Sequence, residues 1–282
     1  MSIVYKALQQ AEMENAAIDA IKGEAAFAPE PLQPSNESLW LDQTRVVKPV
    51  ESDDKRMVTI TDRESLGTEK FGLLRTRLRQ LQNRSSLKKV VVTSGAPAEG
   101  KTTVAANLAI SLARHTSQKV LLLEGDLRRP ALAFKLGLES LQGLGEWFAR
   151  EQPLTEFVYQ IEGHQLWLLP AGAPAEDALR ILQSERFAEA LNRLESCFDW
   201  IIIDAPPLAP LADIHVWVQK ADGVLLIVRS GVAQKETLVR GLVGLDRAKL
   251  LGVVHNDTQS AGRDYYQHYY RPSDERRKNH KG

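Results

Sequence analysis

The sequence predicts an α/β fold, a mostly parallel sheet with helices on both faces. Three observations carry this. From Lys88 onward, apolar runs of strand length alternate with helical patterns. Those runs lack polar alternation, so they are buried on both sides, which a helix-covered parallel sheet provides. Between the first run and the first helix lies SGAPAEGKTT, Ser94 to Thr103, with Gly95, Gly100, Lys101 and Thr102 at GxxxxGK[ST] spacing. Strand, glycine-bounded loop and helix in that order is a phosphate-binding loop, and the fold class is that of P-loop NTPases.

Taken in order, the chain begins with Ile3, Val4, Ala7, Leu8 and Ala11 at helical spacing, a short amphipathic helix that can pack on its own domain or dock a partner. Phe27 to Asp54 holds Pro29, Pro31, Pro34 and Pro49 among polar residues and reads as a flexible linker, with Trp40 between Leu39 and Leu41 as an apolar spot in it. Val58 to Ile60 is expected to be a short edge strand. Ser65 to Leu81 reads as a helix with Phe71, Leu74, Leu78 and Leu81 on one face. The strand runs follow: Lys88 to Thr93, Lys119 to Glu124, Leu166 to Leu169, Trp200 to Asp204, Gly223 to Arg229 and Leu250 to His255. Helical patterns lie between them, notably Ser184 to Glu195, Ile214 to Lys220 and Lys235 to Arg247. Beyond Asp257 the chain turns polar and reads as a mobile tail. The expected organisation is thus an N-terminal helix and linker over 1–57, a nucleotide-binding domain over 58–256 and a tyrosine-rich tail over 257–282.

Composition removes several function classes. Lys plus Arg and Asp plus Glu both number 36, so nothing in the net charge points to nucleic acid or an anionic membrane. The single cysteine, Cys197, leaves no internal disulfide and no cysteine metal cluster, and its apolar neighbours make it core filler. No apolar stretch approaches the ~18 residues of a membrane span. Lys6 and Glu12 interrupt the N-terminus where a signal peptide needs an apolar run, so a cytoplasmic location is expected.

The chemistry is concentrated at strand ends. A phosphate-binding loop wraps oxyanions with backbone N–H groups, and the helix after it aims its positive end at them. Residues Gly95, Ala96, Pro97, Ala98, Glu99, Gly100, Lys101, Thr102 and Thr103 are therefore the expected nucleotide cradle. Lys101 supplies a cation for the terminal phosphates, and the Thr102 hydroxyl suits Mg²⁺. Asp204 ends the run WIIID before Ala205, Pro206 and Pro207, the position of a Walker B acid that holds Mg²⁺ across from Thr102. The run KVLLLE leads into Glu124, Gly125, Asp126, Leu127, Arg128 and Arg129. Two carboxylates there face the phosphate side, so one can serve the metal and the other accept a proton. Arg128 can pair with a carboxylate or a phosphate. His255 ends the last run near where an adenine sits in such folds, and is otherwise read as a core histidine.

These three motifs in this order resemble the bacterial tyrosine kinases of capsule and exopolysaccharide systems. The resemblance runs from about Glu64 to the C-terminus and includes LLPAGAPAEDALRILQSERF, PLADIHVWVQKADGVLLIVRSG and LLGVVHND. It implies ATP and Mg²⁺ as cofactors. Lys101 and Thr102 would bind nucleotide and metal, Asp126 and Asp204 would organise the metal, and Glu124 would stand in the place of the catalytic base. It implies autophosphorylation of the cluster Tyr265, Tyr266, Tyr269 and Tyr270 by a neighbouring subunit. It also implies a separate membrane co-polymerase or chain-length regulator as partner, a location at the inner membrane through that partner, and a protein-tyrosine phosphatase acting on the same tyrosines. Three positions depart from the family pattern. Glu124 replaces an aspartate, Ala98 stands where the loop often has glycine, and the ExxRxxR assembly helix reads Glu69, Gly72, Arg75, keeping Glu69 and Arg75 as oligomer contacts. Two other readings share the fold: a non-phosphorylating ATPase switch, opposed by Ala96 in the place of that group's signature lysine, and a nucleotide-binding regulator of a polysaccharide machine.

Overall fold

The run WIIID (Trp200–Asp204) is buried at every position, as are VLLLE (Val120–Glu124) and KVVVTS (Lys89–Ser94). In this computed structural model, residues 36–49, 57, 65–114, 117–138, 141–150, 152–208, 212–229, 231, 235–243 and 245–256 are described. The elements in chain order are a 3-10 helix (Asn36–Gln43), β1 (Arg45–Val47), α1 (Leu66–Gln82), β2 (Lys89–Ser94), α2 (Lys101–Arg114), β3 (Val120–Glu124), α3 (Leu132–Lys135), α4 (Leu144–Ala149), a 3-10 turn (Leu154–Phe157), β4 (Tyr159–Ile161), β5 (Leu166–Leu169), α5 (Ala178–Gln183), α6 (Glu185–Cys197), β6 (Trp200–Asp204), α7 (Asp213–Lys220), β7 (Gly223–Arg229), α8 (Lys235–Val243), a 3-10 turn (Arg247–Lys249) and β8 (Leu250–Asn256). Strands β1 to β8 all fall in one compact unit, Glu37–Gly282; the other unit, Met1–Asn36, lies outside the described residues except for Asn36.

The eight strands form one sheet in the order β1-β4-β5-β3-β6-β2-β7-β8. Every pairing is parallel except β4 with β5. Side chains alternate across it. Leu121, Leu123, Ile201 and Ile203 enter the core on one face, while Val120, Leu122, Trp200 and Ile202 enter the core on the other. This is the two-sided burial expected from the apolar runs. Helices start where local chemistry satisfies their first N–H groups. The Ser65 side chain accepts from Thr68 N at α1, Asp177 from Arg180 N at α5 and Ser184 from Phe187 N at α6.

The stretch read as linker contributes to the sheet. Arg45, Val46 and Val47 pair in parallel with β4. Leu41 is 1% exposed in the core, and Trp40 packs edge-on against Phe198 with ring centroids 6.4 Å apart. Thr44 Oγ1 donates to Leu41 O at 2.7 Å and accepts from Trp167 Nε1 at 3.1 Å. Averaged composition hid this, because one short apolar triplet outweighs the prolines around it once it finds a cavity to fill. The helix at Ile3 to Ala11, the strand at Val58 to Ile60 and the tail beyond Asp257 lie outside the described residues.

A linker residue would tolerate truncation. Leu41→Ala is instead expected to destabilise the protein by about 2–4 kcal/mol through the cavity it leaves, measured by urea denaturation.

Candidate active site

Parallel pairing brings the carboxyl ends of β2, β3 and β6 together. Val92 and Glu124 both stand in register with Asp204. The chain leaves β2 at Ser94, turns through residues 95–100 and enters α2 at Lys101. The turn is braced from outside. Ser94 Oγ donates to Ala96 O at 2.7 Å, Asn256 Nδ2 to Glu99 O at 2.9 Å and Arg229 Nη1 to Ala98 O at 3.3 Å. Inside the turn, Ala96 N donates to Glu99 Oε2 at 3.0 Å. These bonds hold Ala98 at φ 64°, the left-handed region that costs an ordinary residue about 1–2 kcal/mol. That strain is the physical reason glycine often occupies the position. Gly100, at φ 95°, has no room for a side chain, since a Cβ would strike the Asn256 amide.

Lys101 lies among the acids. Its Nζ is 3.1 Å from Asp126 Oδ2 and 3.8 Å from Asp204 Oδ1. Burial works against the ammonium, but the charges of Asp204 and Asp126 outweigh it and hold the Lys101 pKa above its ordinary value. Burial pushes Asp204 the other way, up to about 6, against the pull of Lys101 and a hydrogen bond from the Thr102 hydroxyl. Asp204 Oδ1 is buried and accepts no hydrogen bond. A hydroxyl beside a buried carboxylate oxygen with spare capacity is a donor set that fits a hydrated Mg²⁺, a hard cation that keeps waters and takes the rest of its oxygens from phosphate. Among the described residues no cluster of three or more His, Cys, Asp or Glu is arranged to hold a metal alone.

Glu124 is tied to the main chain. Its Oε1 accepts from Ala131 N and Leu132 N, both at 2.6 Å, and its Oε2 from Ala171 N at 3.0 Å. The residue is 2% exposed. Both oxygens are thus engaged by main-chain N–H groups, while the Glu124 charge still helps raise the Lys101 and Asp204 pKa values. Arg128 resolves to a carboxylate partner: its guanidinium grips Asp213 at 2.6 and 3.2 Å and donates to Glu176 O at 3.2 Å. His255 is exposed rather than core. With Thr103, Ala98, Gly100, Arg229, Asn256 and residues of α1 it lines a cavity of about 610 Å³ beside the loop. Arg75, expected at a subunit contact, donates to Ser111 O of its own α2 at 3.1 Å, and Glu69 lies in the first turn of α1. Tyr265, Tyr266, Tyr269 and Tyr270 lie outside the described residues.

Comparison with known proteins agrees with this geometry. Residues 88–240 match the AAA domain family, more than half of the chain. The tyrosine-protein kinase CpsD of Streptococcus pneumoniae serotype 4 is 34% identical over 174 residues, covering 60% of this chain and 76% of that protein. The tyrosine-protein kinase YwqD of Bacillus subtilis is 29% identical over 217 residues, covering 76% and 91%. The chain belongs to the bacterial tyrosine kinase family. This kinase is also similar to the chimerical protein CapA2B2, whose crystal structure superposes with a TM-score of 0.68 at 25% identity, covering 77% of this chain and 95% of that one. A further relative of the kinase, the succinoglycan biosynthesis transport protein ExoP of Rhizobium meliloti, is 30% identical over 185 residues but only 23% of its length is matched.

Sequence reasoning passed over Arg229, Asn256 and Asp213. Arg229 and Asn256 carried a readable signal, because each is the polar residue that ends an apolar run at the sheet's carboxyl edge. Asp213 begins a helix and carried none.

The Asp204 shift makes a prediction for the nucleotide-free protein. A carboxyl raised from 3.8 to about 6 binds more protons folded than unfolded in that interval, so its cost to the fold is full above pH 6 and vanishes below pH 3.8. Asp204→Asn is expected to stabilise the chelator-treated protein by on the order of 2 kcal/mol at pH 8, with the gain closing as pH falls from 6 to 4. Denaturant midpoints across pH check this.

Proposed function

We propose that this kinase uses ATP and Mg²⁺ to phosphorylate its own tyrosine cluster, Tyr265, Tyr266, Tyr269 and Tyr270, and that the phosphorylation governs capsule or exopolysaccharide synthesis and export. The observation that carries the reading is the convergence of Lys101, Thr102, Asp126 and Asp204 at one sheet edge, in a chain whose relatives are tyrosine kinases. Backbone N–H groups of residues 98–103 bind the phosphates, and Lys101 exchanges its carboxylate partners for the terminal phosphates. Thr102, Asp126 and Asp204 hold the metal, which when bound draws charge from the transferring phosphoryl group. The cavity lined by His255 and Asn256 takes the nucleoside.

The acceptor hydroxyl attacks the γ-phosphorus as the bond to the β–γ bridging oxygen breaks, and ADP leaves with the electron pair. We assign the phenolic proton to the transferred phosphoryl group, since Asp126 and Asp204 serve the metal and the Glu124 oxygens are engaged. The rest of the catalysis is positioning and charge neutralisation.

The acceptor comes from a second subunit of a homo-oligomer, with Glu69 and Arg75 of α1 near the contact. Its own chain is the competing source. Asn256 ends β8, at the same sheet edge as the site, and Tyr265 follows nine positions later. Extended chain of that length reaches roughly 30 Å, whereas β3 lies four strand spacings from β8, about 19 Å. Supporting a membrane partner, ExoP carries its matching region within a much longer transport protein. A membrane co-polymerase or chain-length regulator on a separate chain would recruit this kinase to the cytoplasmic side of the inner membrane, and a protein-tyrosine phosphatase would reset the cluster.

Incubation with Mg-ATP followed by mass spectrometry is expected to find phosphate on Tyr265 to Tyr270, and none in Lys101→Met. Mixing an active chain truncated after residue 256 with full-length Lys101→Met is expected to restore phosphate to the latter. An unmodified tail in that mixture, beside a phosphorylated parent, would assign the acceptor to its own chain.

A further inference from the structure

Glu124 stands out among the acids of the site because both its oxygens are taken by backbone N–H groups from two separate segments. Oε1 accepts from Ala131 N and Leu132 N, and Oε2 from Ala171 N, just past the end of β5. Ala131 is the N-cap of α3, and no side chain of that cap bonds the helix. The first N–H groups of a helix need an acceptor. Glu124 supplies it from across the loop.

The segment between these two points is Gly125, Asp126, Leu127, Arg128, Arg129 and Pro130. The bond from Glu124 to Ala131 closes this loop at its neck. Other contacts then fix what it carries. Gly125 N donates to Asp204 O at 2.8 Å, and Trp217 Nε1 donates to Gly125 O at 3.0 Å. Asp126 Oδ1 accepts from Arg129 N at 3.2 Å, which leaves Oδ2 for Lys101. An aspartate at position 124 would hold its carboxylate about 1.5 Å nearer the main chain, out of range of these N–H groups.

We propose that Glu124 is a positioning residue that closes the neck of the 125–130 loop and so holds Asp126 at the Lys101–Asp204 cluster. What Asp126 does there rests on the kinase reading above; the closure does not. The extra methylene that separates this chain from the family's aspartate is then the length the closure requires.

The two roles rank substitutions in opposite orders. Glutamine keeps the length and one acceptor oxygen but cannot take a proton as a carboxylate does. Aspartate keeps the charge but not the reach. In the full-length chain, Glu124→Asp is expected to weaken Mg-ADP binding by about tenfold or more, the size of loss seen when a metal ligand's supporting bonds are removed. Metal-free ADP binding should change far less. Glu124→Gln is expected to lose less than Glu124→Asp in Mg-ADP binding, melting temperature and autophosphorylation, and to leave the midpoint of the pH–activity profile where it was. Adding Ala131→Ser, which gives α3 a cap of its own, should recover part of the Mg-ADP affinity lost in Glu124→Asp.

The reverse order overturns the proposal: Glu124→Asp active and Mg-ADP binding intact, with Glu124→Gln inactive, would restore the proton-acceptor role. Failure of Ala131→Ser to recover any affinity would also count against closure. A Glu124→Asp chain that does not fold beside a Glu124→Gln chain that does gives the order the closure predicts. Should the parent show no phosphotyrosine, the kinase reading falls while the binding and melting comparisons still decide the role of Glu124.

Discussion

One register governs the site. Glu124 and Val92 flank Asp204 across three hydrogen-bonded strands. A slip of one residue in β6 would turn Asp204 from the carboxyl edge to a helix-covered face, and a slip in β2 or β3 would break its register with the loop and with Glu124. The two-sided apolar packing prevents that slip, because every residue of β2, β3 and β6 is buried. The hydrophobic core therefore does more than stabilise the fold: it meters the height at which three acids and a lysine emerge.

Those groups are costly to hold together without compensation. Lys101 is nearly enclosed, and Asp204 is more so. Lys101 is tolerable because Asp126 and Asp204 together offset its burial, and burying it with neither would cost several kcal/mol. The arrangement is electrostatically provisional: Lys101 shares itself between two carboxylates at unequal distances, and one oxygen of Asp204 is left over. A highly charged anion entering with its cation would offer better partners to all of them.

Much of this was legible in the sequence, for a physical reason. Asp204, Asp126 and Lys101 each follow an apolar run or a glycine-bounded loop, and such runs must be strands buried in a sheet whose carboxyl ends meet. The strand order was not legible, since crossovers of similar length can land on either neighbour. The direction of the Glu124 side chain was hidden as well, because its partners at Ala131 and Ala171 are backbone groups with no side-chain signature. The same holds for Arg128, whose partner Asp213 lies 85 positions away. Residue type and strand position announced the chemistry; which acid faces the lysine and which faces the main chain depended on tertiary contacts.

The first strand has a consequence for solubility. β1 is three residues long, begins with Arg45 and covers the hydrogen-bonding edge of β4. A chain begun after residue 57, the boundary that composition alone suggests, would bare that edge, leave Trp167 Nε1 without Thr44 and uncover the pocket filled by Leu41. An open edge beside newly exposed aromatic surface is a template for pairing with other chains. The short segment before the nucleotide-binding elements thus keeps the sheet from self-associating, and a truncated fragment should aggregate even with its phosphate-binding loop intact.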